Sequence, residues 1–220
     1  MEPNYRLGVL GSLVWPGKQS GNQQILDQRE AMFWVRDNIA RFGCDPNSIT
    51  IWGESAGAMS VAVHLVSPGS RGLFHRAIME SNVAGFQYQN EAAQRLTFGK
   101  EFLKLTGCHE WSNVTCLQGM DAHDVIGYGE KASGSALEGL LDRILEGGHI
   151  EDAFAMQWSP VVDMKELTDQ PLKLFDSGHW AKVPVLLGSN QDEGATFIFA
   201  GINDVLPEFL FPVLMDAIFS

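Results

Sequence analysis

A chain of 220 residues, 45% hydrophobic and 19% charged, can bury a substantial core, which excludes a disordered or fibrous polymer. Fifteen Lys and Arg against 27 Asp and Glu give a net charge of −12, a field that repels phosphate backbones and argues against nucleic acid as a partner. No apolar run approaches the roughly 18 to 20 residues that span a bilayer, and Met1-Glu2-Pro3-Asn4 reads as no targeting signal.

After the turn-rich Trp15-Pro16-Gly17, apolar residues Leu26, Met32, Val35, Ile39 and Phe42 recur every three or four positions or multiples of that, predicting a helix stopped by Gly43. Asp45-Pro46-Asn47 marks a turn, and Ile49-Thr50-Ile51-Trp52 has the composition of a buried, central strand. Gly53-Glu54-Ser55-Ala56-Gly57 follows at once, then Ala58 to Val66, a helix ended by Pro68. Ala77-Ile78-Met79 predicts a further strand, and Glu91 to Leu105 a helix stopped by Gly107. Amphipathic stretches occupy Asp121 to Lys131 and Ala136 to Leu145. Asp169-Gln170-Pro171 opens a helix to Phe175, and Val183 to Gly188 reads as a buried strand. Strands and helices alternate without a repeat or linker, so the expected architecture is α/β: one domain over 1–220 with a mainly parallel sheet covered by helices.

Between Cys108 and Cys116 lies Asn113-Val114-Thr115, a glycosylation acceptor sequence. The two cysteines form either a disulfide in an oxidising compartment or a pair of buried thiols beside a chance acceptor, with Cys44 left free.

The Gly53-to-Gly57 stretch has the pattern Gly-x-Ser-x-Gly, which gains weight from the strand before it and the helix after it. A turn from strand to helix in so few residues forces Ser55 into a strained backbone and leaves no room for flanking side chains at Gly53 and Gly57. Ser55 would then project its hydroxyl above the sheet beside a helix N-terminus, where the Ala56 N–H can stabilise an oxyanion. The competing reading is that Ser55 simply caps the helix. A carboxylate just past the Val183 to Gly188 strand would lie on the same rim; Asp192 and Glu193 are equal candidates by position.

These residues carry a wider resemblance. Asn4-Tyr5-Arg6-Leu7-Gly8, Gly21-Asn22, Asp27-Gln28, Trp34-Val35, Asn38-Ile39, Phe42-Gly43, Asp45-Pro46, Gly53 to Ala58, Leu73-Phe74, Arg76-Ala77-Ile78, Ser159 to Asp163 and Asp192-Glu193-Gly194 together resemble the type-B carboxylesterase and cholinesterase family of α/β-hydrolases. The resemblance implies Ser55 as nucleophile, Glu193 as triad acid, a carboxylic ester as small-molecule substrate, and no metal or organic cofactor. It implies a Cys108–Cys116 disulfide and, since members are often secreted or luminal, agrees with an acceptor at Asn113. Glu54 beside the nucleophile would either tune the site's electrostatics or belong to a buried network.

The family order is Ser, acid, His. All six histidines (His64, His75, His109, His123, His149 and His179) precede Glu193, and no glycine-rich His-Gly-Gly turn occurs. The expectation is a fold incomplete at both ends, with unpaired sheet edges and exposed apolar faces, poorly soluble and nearly inactive by itself, whose complete form is a serine esterase. The alternatives are a non-catalytic binding or adhesion module, or a truncated fragment without function. Asn82 and Cys44 replace glycines usual in the family, which questions the local backbone there.

Overall fold

In the computed structural model, residues 1–15, 21–82, 87–108, 114–134 and 158–193 are described. The predicted stretch Ala136 to Leu145, the acceptor Asn113, His109 and His149 lie outside them.

The first long helix, α2 (Gln23–Asn38), continues into a 3-10 turn at Ile39–Phe42 and stops where Gly43 takes φ +81°, a left-handed conformation cheap only for glycine. A shorter helix, α1 (Gly8–Ser12), precedes it. The chain then runs through β1 (Thr50–Glu54), α3 (Ala56–Val66) and β2 (Arg76–Glu80). Next come α4 (Glu91–Gln94), a π turn at Arg95–Gly99, α5 (Lys100–Thr106), α6 (Val114–Gln118), α7 (Ala122–Gly134), α8 (Pro171–Asp176) and β3 (Val185–Gly188). Among the described residues the sheet has the order β1-β2-β3, both pairs parallel. This is the expected α/β alternation, with a crossover helix between β1 and β2.

Helix α3 organises the interior. Every residue from Ala58 to Val66 is buried, so the helix needs packing partners on all sides rather than along one stripe. Ala58, Val61, Ala62 and Leu65 pack with Met32 of α2, Leu73, Phe74, and Ala77 and Met79 of β2. On its other side, Met59, Val63 and Val66 meet Ile25, Tyr88, Leu167 and Leu174. Each fully buried Val or Leu here is worth roughly 1.5 to 3 kcal/mol. Cys108 and Cys116 are joined in a disulfide beside Trp15 and Leu103, and Cys44 is an exposed free thiol. Irregular segments are sewn on by amide side chains: Asn22 exchanges two hydrogen bonds of 2.9 Å with the Val161 backbone, and Gln170 does the same with Tyr88 at 2.7 and 2.9 Å.

Two expectations are corrected. The runs predicted as buried strands are largely exposed: Trp52 58%, Leu186 and Leu187 65% each. A parallel sheet needs cover on both faces. Here α3 covers Ala77 and Met79 of β2, whereas the ladder row Trp52, Ile78, Leu186 points the other way, and Leu187 of β3, although on the row of Met79, is exposed as well. β1 is also an edge of the described sheet, not its centre; β2 is central. Asn82 and Cys44 raise no backbone difficulty, because neither takes a positive φ; Ser81, next to Asn82, does, at φ +55°.

Candidate active site

The strands end flush. Glu54, Glu80 and Gly188 are ladder partners, so the residues that follow them leave the sheet along one rim. Ser55 comes directly after β1, with φ +52° and ψ −118°, a sparsely populated region for a side-chain-bearing residue that costs on the order of 1 to 3 kcal/mol. Its N–H donates to the Glu80 carbonyl at 2.9 Å, which ties the bend to the neighbouring strand, and its carbonyl accepts the Met59 N–H at 2.9 Å.

The hydroxyl of Ser55 makes no capping hydrogen bond to α3. A capping role is therefore absent, and the first-turn amides, Ala56 among them, have no carbonyl one turn back to accept them. Ser55, Ala56 and Glu54 are exposed, so the bend faces solvent.

The two glycines of the bend differ. A Cβ on Gly53 would stand 2.3 Å from the Gly57 carbonyl carbon and 2.4 Å from its oxygen, a backbone collision with no relief. A Cβ on Gly57 would meet nothing within 4 Å. The expectation that both flanking glycines are sterically required is thus corrected: only Gly53 is pinned, because Gly57 opens onto a cavity of about 370 Å³ bounded by Val35, Ile51, Ser60 and His64.

On the loop after β3, Glu193 accepts the Ser81 hydroxyl at 2.5 Å and the Asn190 N–H at 2.6 Å through the same oxygen, while Asn190 Nδ2 reaches its other oxygen at 3.4 Å. The Ser81 hydroxyl, then the Asn190 amide, stabilise the carboxylate and lower its pKa below the usual glutamate value. Asp192 is exposed. Ser81 itself follows β2, and its N–H donates to the Gly188 carbonyl at 2.8 Å. The path from Ser55 to Glu193 is short: the Ser55 amide binds the Glu80 carbonyl, and the next residue, Ser81, holds Glu193. Ser81 was not a sequence candidate, and only the register of β2 between β1 and β3 reveals it.

Glu54 lies opposite Glu80 in the ladder, and Glu80 accepts the Trp52 indole N–H at 3.1 Å. Three histidines are engaged elsewhere. His64 is buried within α3 against Gln28 and Ser70; His75, before β2, accepts the Ile49 N–H; and His179 pairs with Ser177. Among the described residues no cluster of side chains suits a metal, and no helix is long and apolar enough to cross a membrane.

The chain is 38% identical over 217 residues to the Crystal protein of Dictyostelium discoideum, covering 99% of this chain and 37% of that protein. It is 38% identical over 208 residues to a cholinesterase of Mus musculus, covering 90% of this chain and 31% of the relative. Among solved structures, a PNB esterase superposes with a TM-score of 0.74 at 33% identity over 97% of this chain and 42% of its own. A Geobacillus stearothermophilus carboxylesterase gives 0.74 at 30% identity, covering 90% and 38%. The chain spans less than half the length of each. The profile of the Carboxylesterase family matches residues 1–209, and the fold shared with these esterases is the α/β-hydrolase fold. By profile, by identity and by superposition, the chain belongs to the carboxylesterase family.

Proposed function

We propose that residues 1–220 form the nucleophile-bearing part of a single α/β-hydrolase domain whose complete form hydrolyses carboxylic esters. The observation that carries the reading is the placement of Ser55, on a strained bend at the head of α3, on the same rim as Glu193. Ser55 Oγ attacks the ester carbonyl carbon, the C=O bond opens to an oxyanion facing the Ala56 N–H, and the hydroxyl proton passes to a histidine base. Collapse of the intermediate expels the alcohol, which takes that proton; water then releases the acid and regenerates Ser55. Glu193, kept ionised by Ser81 and Asn190, orients the histidine and offsets its positive charge.

His64, His75 and His179 are committed to other partners, so the base is not among them. All six histidines precede Glu193, against the order Ser, acid, His, so the 220-residue chain by itself is expected to hydrolyse a short aryl ester no faster than its Ser55→Ala variant, since loss of a triad member costs up to about a million-fold in turnover. The disulfide agrees with a secreted or luminal setting, where Asn113 would be a glycan acceptor.

Reaction with a fluorophosphonate tests the assignment. In the full-length native product, Ser55 Oγ should displace fluoride from phosphorus, and peptide mapping should find the phosphonyl group on Ser55 and lose it in Ser55→Ala. Labelling at a different serine would overturn the reading.

A further inference from the structure

Behind the Ser55 bend runs a continuous buried string of polar groups. Ser60, in the second turn of α3, donates through Oγ to the Ala56 carbonyl at 3.2 Å. Gln28 of α2 donates through Nε2 to Ser60 Oγ at 3.2 Å. Gln28 Oε1 faces His64 Nε2 at 2.9 Å, and His64 Nδ1 faces Ser70 Oγ at 2.8 Å. Ser70 Oγ accepts the Arg29 Nε–H at 3.2 Å, and Arg29 is paired with Glu166 and with Ser67. Gln28, Arg29, Ser60, His64, Ser67, Ser70 and Glu166 are each at most 9% exposed.

The direction of the string can be worked out. Arg29 has donors only, so Ser70 must accept from it. The Ser70 hydroxyl proton is then free to point at His64 Nδ1, which must be the bare nitrogen, leaving the proton on Nε2. That proton meets Gln28 Oε1, and the other end of the amide presents its N–H to Ser60. The Ser60 proton has one remaining target, the Ala56 carbonyl. With the opposite polarity, Ser60 would spend its proton on Gln28, Ala56 would lose the contact, and the Ser70 proton would have no acceptor in the string. Such a chain is cooperative, and a break in it leaves a buried group unpaired.

Its endpoint gives it a function. The Ala56 carbonyl belongs to the first peptide wholly within α3, and the N–H on the other side of the same Cα is the oxyanion donor. We propose that Gln28, Ser60 and His64 are positioning residues that fix the Ala56 peptide, and with it the aim of the oxyanion donor. The proposal rests on the esterase reading above and deepens it. None of the three touches the reacting atoms. The imidazole is fully buried beside the Arg29 cation, and its pKa falls to about 3, so the string keeps one polarity across the pH range in which an ester would be hydrolysed.

The test uses fluorophosphonate inactivation of the full-length native product, resolved into the maximal rate and the half-saturating concentration. Ser60→Ala should lower the maximal rate about fivefold, the worth of one buried hydrogen bond, and leave half-saturation unchanged. Ser60→Thr, which restores the hydroxyl, should recover the rate to within about twofold. Gln28→Met, which keeps the volume and removes the donor, should match Ser60→Ala. As a measurement independent of reaction, the Ala56 carbonyl 13C shift should move in Ser60→Ala and Gln28→Met and stay in place in Ser60→Thr. Labelling of the parent at Ser55 together with a parental rate in Ser60→Ala overturns the positioning role and leaves the esterase reading intact. Absence of labelling at Ser55 in the parent overturns both. An unmoved Ala56 shift in Ser60→Ala refutes the hydrogen-bond string itself.

Discussion

Lowering the pH from about 7 to 5 should weaken this fold through the His64 side chain. The imidazole ordinarily takes a proton near 6.5; burial, reinforced by the Arg29 charge, pushes it to about 3 in the folded chain. The sign follows directly. Below 6.5 the unfolded chain binds a proton that the folded chain refuses, so stability is full above that value and falls as pH drops toward 3. The slope approaches about 1.4 kcal/mol per pH unit, and the loss between pH 7 and 5 integrates to about 2 kcal/mol. Gln28 and Ser70 face the two ring nitrogens and Arg29, itself paired with Glu166, binds Ser70, so a second proton would place a buried cation beside the Arg29 charge. Asp27 acts in a separate window: Arg6 holds its carboxyl below the ordinary 3.8, so its contribution is present above 3.8 and is lost only under stronger acid. The assay is urea denaturation followed by tryptophan fluorescence at a series of pH values. For a denaturant slope of about 2 kcal/mol per molar, the parent midpoint should fall by about 1 M from pH 7 to 5. His64→Gln, whose amide can still donate to Gln28 but does not titrate, should lose most of that dependence. Equal acid sensitivity in parent and variant would refute the reasoning.

Two further outcomes follow from the geometry of the bend and of the disulfide. Gly53→Ala should abolish Ser55 reactivity in the full-length product because its Cβ collides with the Gly57 backbone, while Gly57→Ala should keep within about threefold of the parental labelling rate; loss of both would show that the bend is tighter than its contacts indicate. Replacing Cys108 and Cys116 together by serine opens a loop with a sequence separation of 8. It should lower stability by about 2.5 kcal/mol, read as a shift in the urea midpoint, and an unchanged midpoint would mean that the crosslink adds nothing to the fold.

The order of elements was legible because apolar periodicity and glycine stops act locally. Gly43 and Gly107 end helices as expected, and both take the left-handed conformation that favours glycine. The bend at Ser55 was legible for the same reason, since Gly-x-Ser-x-Gly is contiguous and its strain is a property of neighbours in sequence. Burial of the strands was misjudged because an apolar run reports what a segment needs, whereas the cover over Trp52 and Leu186 depends on the layers around it. Ser81 could not be found from sequence: a lone serine in a turn carries no signal until β2 is placed between β1 and β3. The buried string was half visible. Ser60 and His64 stand four residues apart in an otherwise apolar helix, a polar stripe on one face, but their partners Gln28 and Ser70 lie on other segments.

The flush ends of the three strands have a consequence for how such a site can fail. Because side chains alternate along a strand, a slip of β2 by a single residue would turn Ser81 to the opposite face and leave the Glu193 carboxylate held by Asn190 alone. The spacing of Ser55 and Glu193 is therefore set by the hydrogen-bond ladder beneath them, and a change that loosens the pairing at Thr50–Arg76, five residues before Ser55, can misalign the two side chains without altering any residue on the rim.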